Sequence, residues 1–236
     1  MPLFKTILYF AVLALLALSA DSIAQGSPIA FALEFNGPSL PSANGFSYTS
    51  APPENSVFSV GGGLLVMDDR GVPGDNESYY GRLDAWDSGL DMELRFSARV
   101  LPGSTPSLYF HLLDASNGNL LLLQVGYGSV GVRVGGLSTL LPFSAPDQFH
   151  EFVLRSAGGS SAYTLWIDGV LHSSGVTEVV AGPGLWAFGD LSPTGGDAGA
   201  EIDYIRYSNG DVPEPATGLL ALAGLVALYM TRHRTI

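Results

Sequence analysis

The stretch Phe149-His150-Glu151-Phe152-Val153-Leu154-Arg155, followed beyond Gly158-Gly159 by Ala162-Tyr163-Thr164-Leu165-Trp166-Ile167-Asp168-Gly169-Val170-Leu171-His172, decides the fold. It holds three short runs rich in apolar, aromatic and β-branched residues, and turn residues separate them. Asp168-Gly169 sits between the second and third runs, where such a pair tolerates the positive φ of a tight primed hairpin turn. Gly158-Gly159 links the first two. The stretch therefore reads as consecutive antiparallel strands.

The same signals extend outward in both directions. Between 92 and 100, Met92, Leu94, Phe96 and Ala98 face one way and Glu93, Arg95, Ser97 and Arg99 the other, as in a half-buried antiparallel strand. Asn117-Gly118 marks another hairpin between two apolar runs. The pattern predicts strands over 30–35, 57–60, 64–67, 78–82, 92–100, 107–114, 119–126, 130–134, 150–157, 162–167, 170–174, 185–189 and 200–207. Turn signals recur at the spacing of a β-sandwich, and no fixed-period repeat points to a propeller or solenoid.

Composition agrees. The 236 residues include 30 Gly and 15 Pro, and only 14% are charged, a mix that favours short strands and turns. With no cysteine there is no disulfide framework and no thiolate metal site, so stability must come from a hydrophobic core. The formal charge is −12, and Lys5 is the only lysine. Such a surface repels phosphates and anionic headgroups, which excludes nucleic acid as a partner.

The two ends differ from the middle. Lys5, the apolar run 7–18 and the small residues of Ser22-Ile23-Ala24 form a secretory signal peptide, with Leu18-Ser19-Ala20 as a second possible cut. At the C-terminus, Val212-Pro213-Glu214-Pro215 precedes an apolar stretch over 216–230 and then Arg232-His233-Arg234. This tail resembles the PEP-CTERM sorting signal of bacteria that export surface and extracellular-polymer proteins. The resemblance implies the secretion machinery and an exosortase-like membrane protease as partners, with removal of the tail near Pro213-Glu214-Pro215. Val212, Pro213, Glu214, Pro215, Arg232 and Arg234 carry that motif. The physical logic agrees, because a helix over 216–230 would rise only about 22 Å against a hydrocarbon core of roughly 30 Å. The terminal arginines would stay on the cytoplasmic side. The expected organisation is a signal peptide over 1–24, a β-sandwich over 28–208 and a sorting tail over 212–236, with a signal helix and a hydrophobic helix flanking the sandwich. The product would be membrane-associated until the tail is cut, then held at the cell surface or in the extracellular matrix.

The opening stretch, taken with Ile202-Asp203-Tyr204-Ile205-Arg206-Tyr207, resembles the second half of a concanavalin A-like (laminin-G-like) jelly roll. The resemblance implies an all-β antiparallel sandwich, with a face or rim that often binds glycans.

Several constellations invite chemistry. Glu201 and Asp203 alternate on one strand, and jelly-roll β-glucanases carry a Glu-x-Asp-x-x-Glu cluster of this kind; here Arg206 holds the last position, so the pattern is incomplete. Ser129 lacks a nucleophile elbow. His111, His150, His172 and His233 show no ligand spacing, although paired strands could bring His150 and His172 together. Gly61-Gly62-Gly63 precedes a strand, so it is a turn and no phosphate cradle. In the acidic loop 68–77, Asp68, Asp69, Asp75 and Glu77 offer the hard oxygens that calcium takes, with 190–197 a weaker second loop. Tyr79, Tyr80 and Trp86 lie beside that loop as a candidate glycan platform, since adjacent tyrosines on a strand must point to opposite faces. Trp166 and Trp186 are expected in the core. The resulting expectation is a non-catalytic surface or matrix protein that holds exopolysaccharide. The alternatives are an extracellular glycan-active hydrolase and a purely structural envelope protein.

Overall fold

The alternating segments pair into two sheets whose apolar faces meet. A computed structural model describes residues 29–72, 77–83, 86–104, 108–134, 137–192 and 198–210; the predicted signal peptide and sorting tail lie outside these. In chain order the strands are β1 (Ile29–Glu34), β2 (Ser47–Thr49), β3 (Phe58–Gly61), β4 (Leu64–Asp68), β5 (Ser78–Arg82), β6 (Met92–Val100), β7 (Leu108–Leu113), β8 (Asn119–Gly126) and β9 (Ser129–Val134). They continue with β10 (Leu137–Ser138), β11 (Leu141–Pro142), β12 (His150–Ser156), β13 (Ala162–Ile167), β14 (Val170–Val176), β15 (Glu178–Val179), β16 (Leu185–Asp190) and β17 (Gly199–Asn209). Each strand read from the sequence is present to within a residue or two. The unread ones, β2, β10, β11 and β15, span two or three residues, too few to show a period. Short helical turns occur over Pro41–Asn44 and Glu54–Val57. Among the described residues no helix is long and apolar enough to cross a membrane.

One sheet runs β14-β13-β12-β6-β17-β4-β3, with β1 also on β17; the other runs β10-β9-β8-β7-β16-β5-β2, with β11 on β9 and β15 on β8. This is the antiparallel jelly-roll sandwich that the sequence implied. β1 pairs along β17 from Ile29↔Asn209 to Glu34↔Tyr204, which brings the two ends of the domain together. Between the sheets Phe96 meets Phe110 at 4.2 Å between ring centroids, and Trp186 of β16 meets Phe31 of β1 at 4.9 Å.

The hairpin signals translate directly. Asp168 and Gly169 both take positive φ (50° and 77°) between β13 and β14. Asp168 also reaches back to β12: its Oδ1 accepts the Glu151 N–H at 2.9 Å, and its Oδ2 lies 2.7 Å from His150 Nδ1. His150 Nε2 lies 2.9 Å from the Ala145 carbonyl, so both ring nitrogens face acceptors. Burial alone would lower the His150 pKa, but these acceptors outweigh it and raise it, which favours the imidazolium. Together the two contacts fasten the loop before β12 to the β13–β14 turn.

Candidate functional site

The structure separates the predicted glycan aromatics. Tyr80 is fully buried, 4.6 Å from the Phe58 ring, and its hydroxyl donates to Glu54 at 2.8 Å. Burial pushes its phenol pKa far up. Trp86 is also in the core. Neither can stack on a sugar, because the sandwich interior gains more from enclosing these large apolar surfaces than their exposure would. Only Tyr79 faces outward. Trp166 departs from expectation in the opposite sense. Tyr163, Leu165 and Ile167 take the inward positions of β13, which leaves Trp166 half-buried on the outer face. There it lines a hollow of about 200 Å³ with Arg95, Glu151 and Arg155.

The calcium loop is engaged internally. Asp68 receives both Nε (2.7 Å) and Nη2 (2.8 Å) of Arg70, which hold its carboxyl below the usual range. Asp69 is fully buried and accepts the Ala198 N–H at 2.6 Å. Glu77 is half-buried, and Asp75 lies outside the described residues. Among the described residues no group of three or more His, Cys, Asp or Glu is placed to hold a metal. Glu201 is tied to Arg99 Nε at 2.6 Å, and Asp203 is the exposed residue of a β-bulge in β17. His150 and His172 do come together, lining one hollow of about 320 Å³ with Asp168.

A different set of residues emerges on the outer face of the second sheet. Leu108, Phe110 and Leu112 of β7 point inward, so Tyr109 and His111 point outward. Antiparallel register then lines up neighbours across the sheet. One row reads Thr49, Tyr79, Gly189, Tyr109, Gln124 and Gly131; the next reads Ser47, Gly81, Ala187, His111, Leu122 and Arg133. Glycine and alanine at the centre leave a low floor between taller side chains. Gly189 has a φ of 136°, and a Cβ there would approach the Ser78 carbonyl to 2.4 Å, so no larger residue fits this backbone. Over the floor's edge lies an open cleft of about 570 Å³, lined by Ser47, Thr49, Tyr79, Gly81, Leu83 and Leu185. Beyond His111, the outward Leu113, Leu120 and Leu122 cluster beneath Tyr109 and Val180.

The titratable groups of this face sense each other. Burial, reinforced by the charge of Asp190, pushes the Tyr109 phenol up to about 12. Burial and then the Arg133 charge lower the His111 pKa, so the imidazole is neutral at pH 7. His111 Nε2 is enclosed without a hydrogen-bond partner among the described residues, so a ligand would meet the ring through Nδ1. Arg133 Nε is 3.9 Å from Glu178. Among the described residues, the side chains of Tyr109, His111 and Gln124 make no hydrogen bond within the protein. Clustered polar groups without partners among the described residues are the kind that a ligand or water can engage. The alternation of Leu108-Tyr109-Phe110-His111-Leu112 could have placed Tyr109 and His111 on one face from sequence. Gln124 and Arg133 join them only through inter-strand register.

No protein-family model matches the chain, and no curated protein sequence matches it. Solved structures do. A Bacillus licheniformis β-glucanase matches with a TM-score of 0.54 at 12% identity, over 75% of this chain and 97% of that one. An endo-1,3-β-glucanase from Streptomyces sioyaensis matches with a TM-score of 0.53 at 14% identity, over 78% and 96%. A transglycosylase matches at 0.52 and 13% identity, over 77% and 85%. These likenesses show the fold, a concanavalin A-like jelly roll. They also overturn the expectation of a non-catalytic domain, because the two β-glucanases and the transglycosylase named above share its architecture.

Proposed function

We propose that this protein is an exported enzyme that cleaves extracellular glycan, with the sugar chain lying across the open face of the second sheet. The observation that carries the reading is that Tyr109, His111 and Gln124, unpartnered within the described protein, share this face with Tyr79 and Arg133. Tyr79 offers a ring on which a sugar can stack, and the small floor residues let the chain approach the backbone. The PEP-CTERM-like tail and the signal peptide supply the address. The secretion machinery would export the chain, an exosortase-like protease would cut near Pro213-Glu214-Pro215, and the sandwich would meet exopolysaccharide at the cell surface or in the matrix.

The binding part is tested with a panel of extracellular polysaccharides, scored for retention in affinity gels and for released reducing ends. Tyr79→Ala is expected to weaken retention about tenfold, or about 1.4 kcal/mol, with an unchanged unfolding midpoint. No reducing ends from any polymer, with Tyr79→Ala retained like wild type, sinks the reading. The export part is tested by mass spectrometry of the native extracellular product. The expected termini lie just after residue 24, or after residue 20, and near residues 213–215; an intact chain recovered from the cytosol contradicts it.

A further inference from the structure

We infer that this protein forms a two-fold dimer in which β14 of one copy pairs antiparallel with β14 of a second copy, joining their first sheets into one. This goes beyond the glycan-cleaving reading and does not depend on it.

The outermost strand of a sheet carries a row of backbone N–H and C=O groups with no neighbour to bond, and proteins blunt such edges by keeping them short or placing charge or proline there. Among the described residues β14 is the exception. It ends the first sheet and pairs only with β13. Its seven residues, Val170-Leu171-His172-Ser173-Ser174-Gly175-Val176, include no Lys, Arg, Asp, Glu or Pro. The other outermost strands are short or charged: β2, β3, β10, β11 and β15 have two to four residues, and β1 ends in Glu34, which is ion-paired with Arg206. The β14 edge is also held ready. Asp168-Gly169 joins it to β13, and Asp168 is bonded to the Glu151 N–H and to His150, so little ordering is left for a partner to impose. A register irregularity lies near its start, opposite Trp166, and the pairing from Ser173 to Val176 is regular.

Register shows which backbone groups face outward. Thr177 donates its N–H to the Ser161 carbonyl at 2.7 Å. In an antiparallel ladder, hydrogen-bonded pairs alternate with unbonded ones. Gly175 and Ser173 therefore bond β13, whereas Ser174 and Val176 turn their N–H and C=O to the open side. The side chains of these two share the outer face, where Val176 is 53% exposed. Leu171 and Val179, on either side of them in the chain, are 50% and 71% exposed.

A second copy fits this edge because the sequence is complementary to itself. With the two-fold axis at Gly175, Ser174 of each strand lies opposite Val176 of the other, and each such pair exchanges both of its backbone hydrogen bonds. Gly175 then meets Gly175, so no side chains crowd the axis. Ser173 meets Thr177, His172 meets Glu178, and the exposed Leu171 meets the exposed Val179 where the chain crosses to the second sheet. Other axes lose these matches: one at Ser174 sets Glu178 against Val170, and one at Ser173 sets it against Asp168, carboxylate against carboxylate. Charge points the same way. At −12 the copies repel over most of their surface, and the uncharged β14 is where two can approach. A strand without charge offers nothing to a partner chosen by ion pairing. The axis stands normal to the joined sheet, so both second sheets lie on the same side of the dimer and their open faces point the same way.

The test measures the mass of the purified full-length protein by sedimentation equilibrium across concentration and salt, and follows backbone hydrogen exchange in parallel. The expected result is a dimer whose dissociation constant falls as salt rises, because screening weakens the repulsion between like-charged copies. The Ser174 and Val176 amides should be protected in the dimer and exchange freely after dilution to monomer. Val176→Lys should raise the dissociation constant about tenfold or more at an unchanged unfolding midpoint. Exchange in the wild type decides by itself where that variant fails to fold. A protein that stays monomeric at every concentration and salt overturns the inference. So does a dimer whose Ser174 and Val176 amides exchange as fast as in the monomer, or one that Val176→Lys leaves equally tight. Reducing ends released from a polysaccharide by a monomer would overturn the dimer and leave the glycan-cleaving reading intact.

Discussion

Trp186→Ala is expected to lower the unfolding free energy by about 3–5 kcal/mol. Trp186 is fully buried and sits where the two sheets meet. Its ring lies 4.9 Å from Phe31 and 5.7 Å from Tyr207 in the first sheet. On its other sides it meets Phe46 at 5.7 Å, Phe188 at 5.6 Å and Phe110 at 6.1 Å. The indole Nε1 has no hydrogen-bond partner among the described residues, so the side chain contributes through packing alone. Close-packed aromatic neighbours cannot collapse far into the space alanine would leave, so a cavity term adds to the lost transfer free energy. The chain has no disulfide to hold the sheets together otherwise. Against a typical net stability of about 5–15 kcal/mol, such a loss is a large share. Urea unfolding is the measurement, with a lower midpoint at an unchanged slope expected. Trp186→Phe should recover much of the loss by restoring ring contacts. A loss under about 1 kcal/mol for Trp186→Ala would mean that the sheets are held together elsewhere.

Asp114→Asn should have a comparable effect by a different route, about 3–5 kcal/mol at pH 7. Asp114 follows β7 at the Asn117-Gly118 turn and is 2% exposed. One carboxyl oxygen accepts the Ser88 N–H at 2.9 Å and the Ser88 hydroxyl at 2.5 Å. The other accepts the Ser116 N–H and hydroxyl, both at 2.7 Å. The carboxylate thus pins the loop ahead of β6 to the β7–β8 hairpin. Burial alone would raise its pKa, but the donors from Ser88 and Ser116 outweigh it and hold it well below the usual carboxylate range. The sign follows. A depressed folded-state pKa gives stability that is present above the ordinary aspartate value of about 3.9 and is lost as pH falls towards the folded value. The gap between wild type and Asp114→Asn should therefore be constant above about pH 5 and narrow below pH 4 by about 1.4 kcal/mol per pH unit. A gap that stays the same from pH 7 to pH 3 would show that Asp114 is not held as a charged acceptor.

Much of the architecture is written locally. Met92 to Val100 alternates in burial as its side chains alternate in polarity. Gly118 (φ 67°) and the Asp168-Gly169 pair take the positive φ that their turns require. Such features depend on neighbours two to five residues away, so they can be read without knowing which strand lies alongside. The candidate site cannot. Tyr79 and Tyr80 must face opposite ways on any strand, yet pairing with β16 and packing on Phe58 decide that Tyr80 is the buried one. The bulge in β17 that turns Ile202 and Ile205 both inward, leaving Asp203 exposed, has no mark in the sequence around it.

The amino-acid sequence by itself determined that this chain is a set of short antiparallel strands, where the turns fall, and that no disulfide supports them. Those properties follow from period-two patterning and local backbone preference. Only the tertiary structure decided which residues share the open face, because Tyr109, Gln124 and Arg133 meet through the register of three strands. A shift of one residue in any of those pairings would send the same side chains to the opposite face.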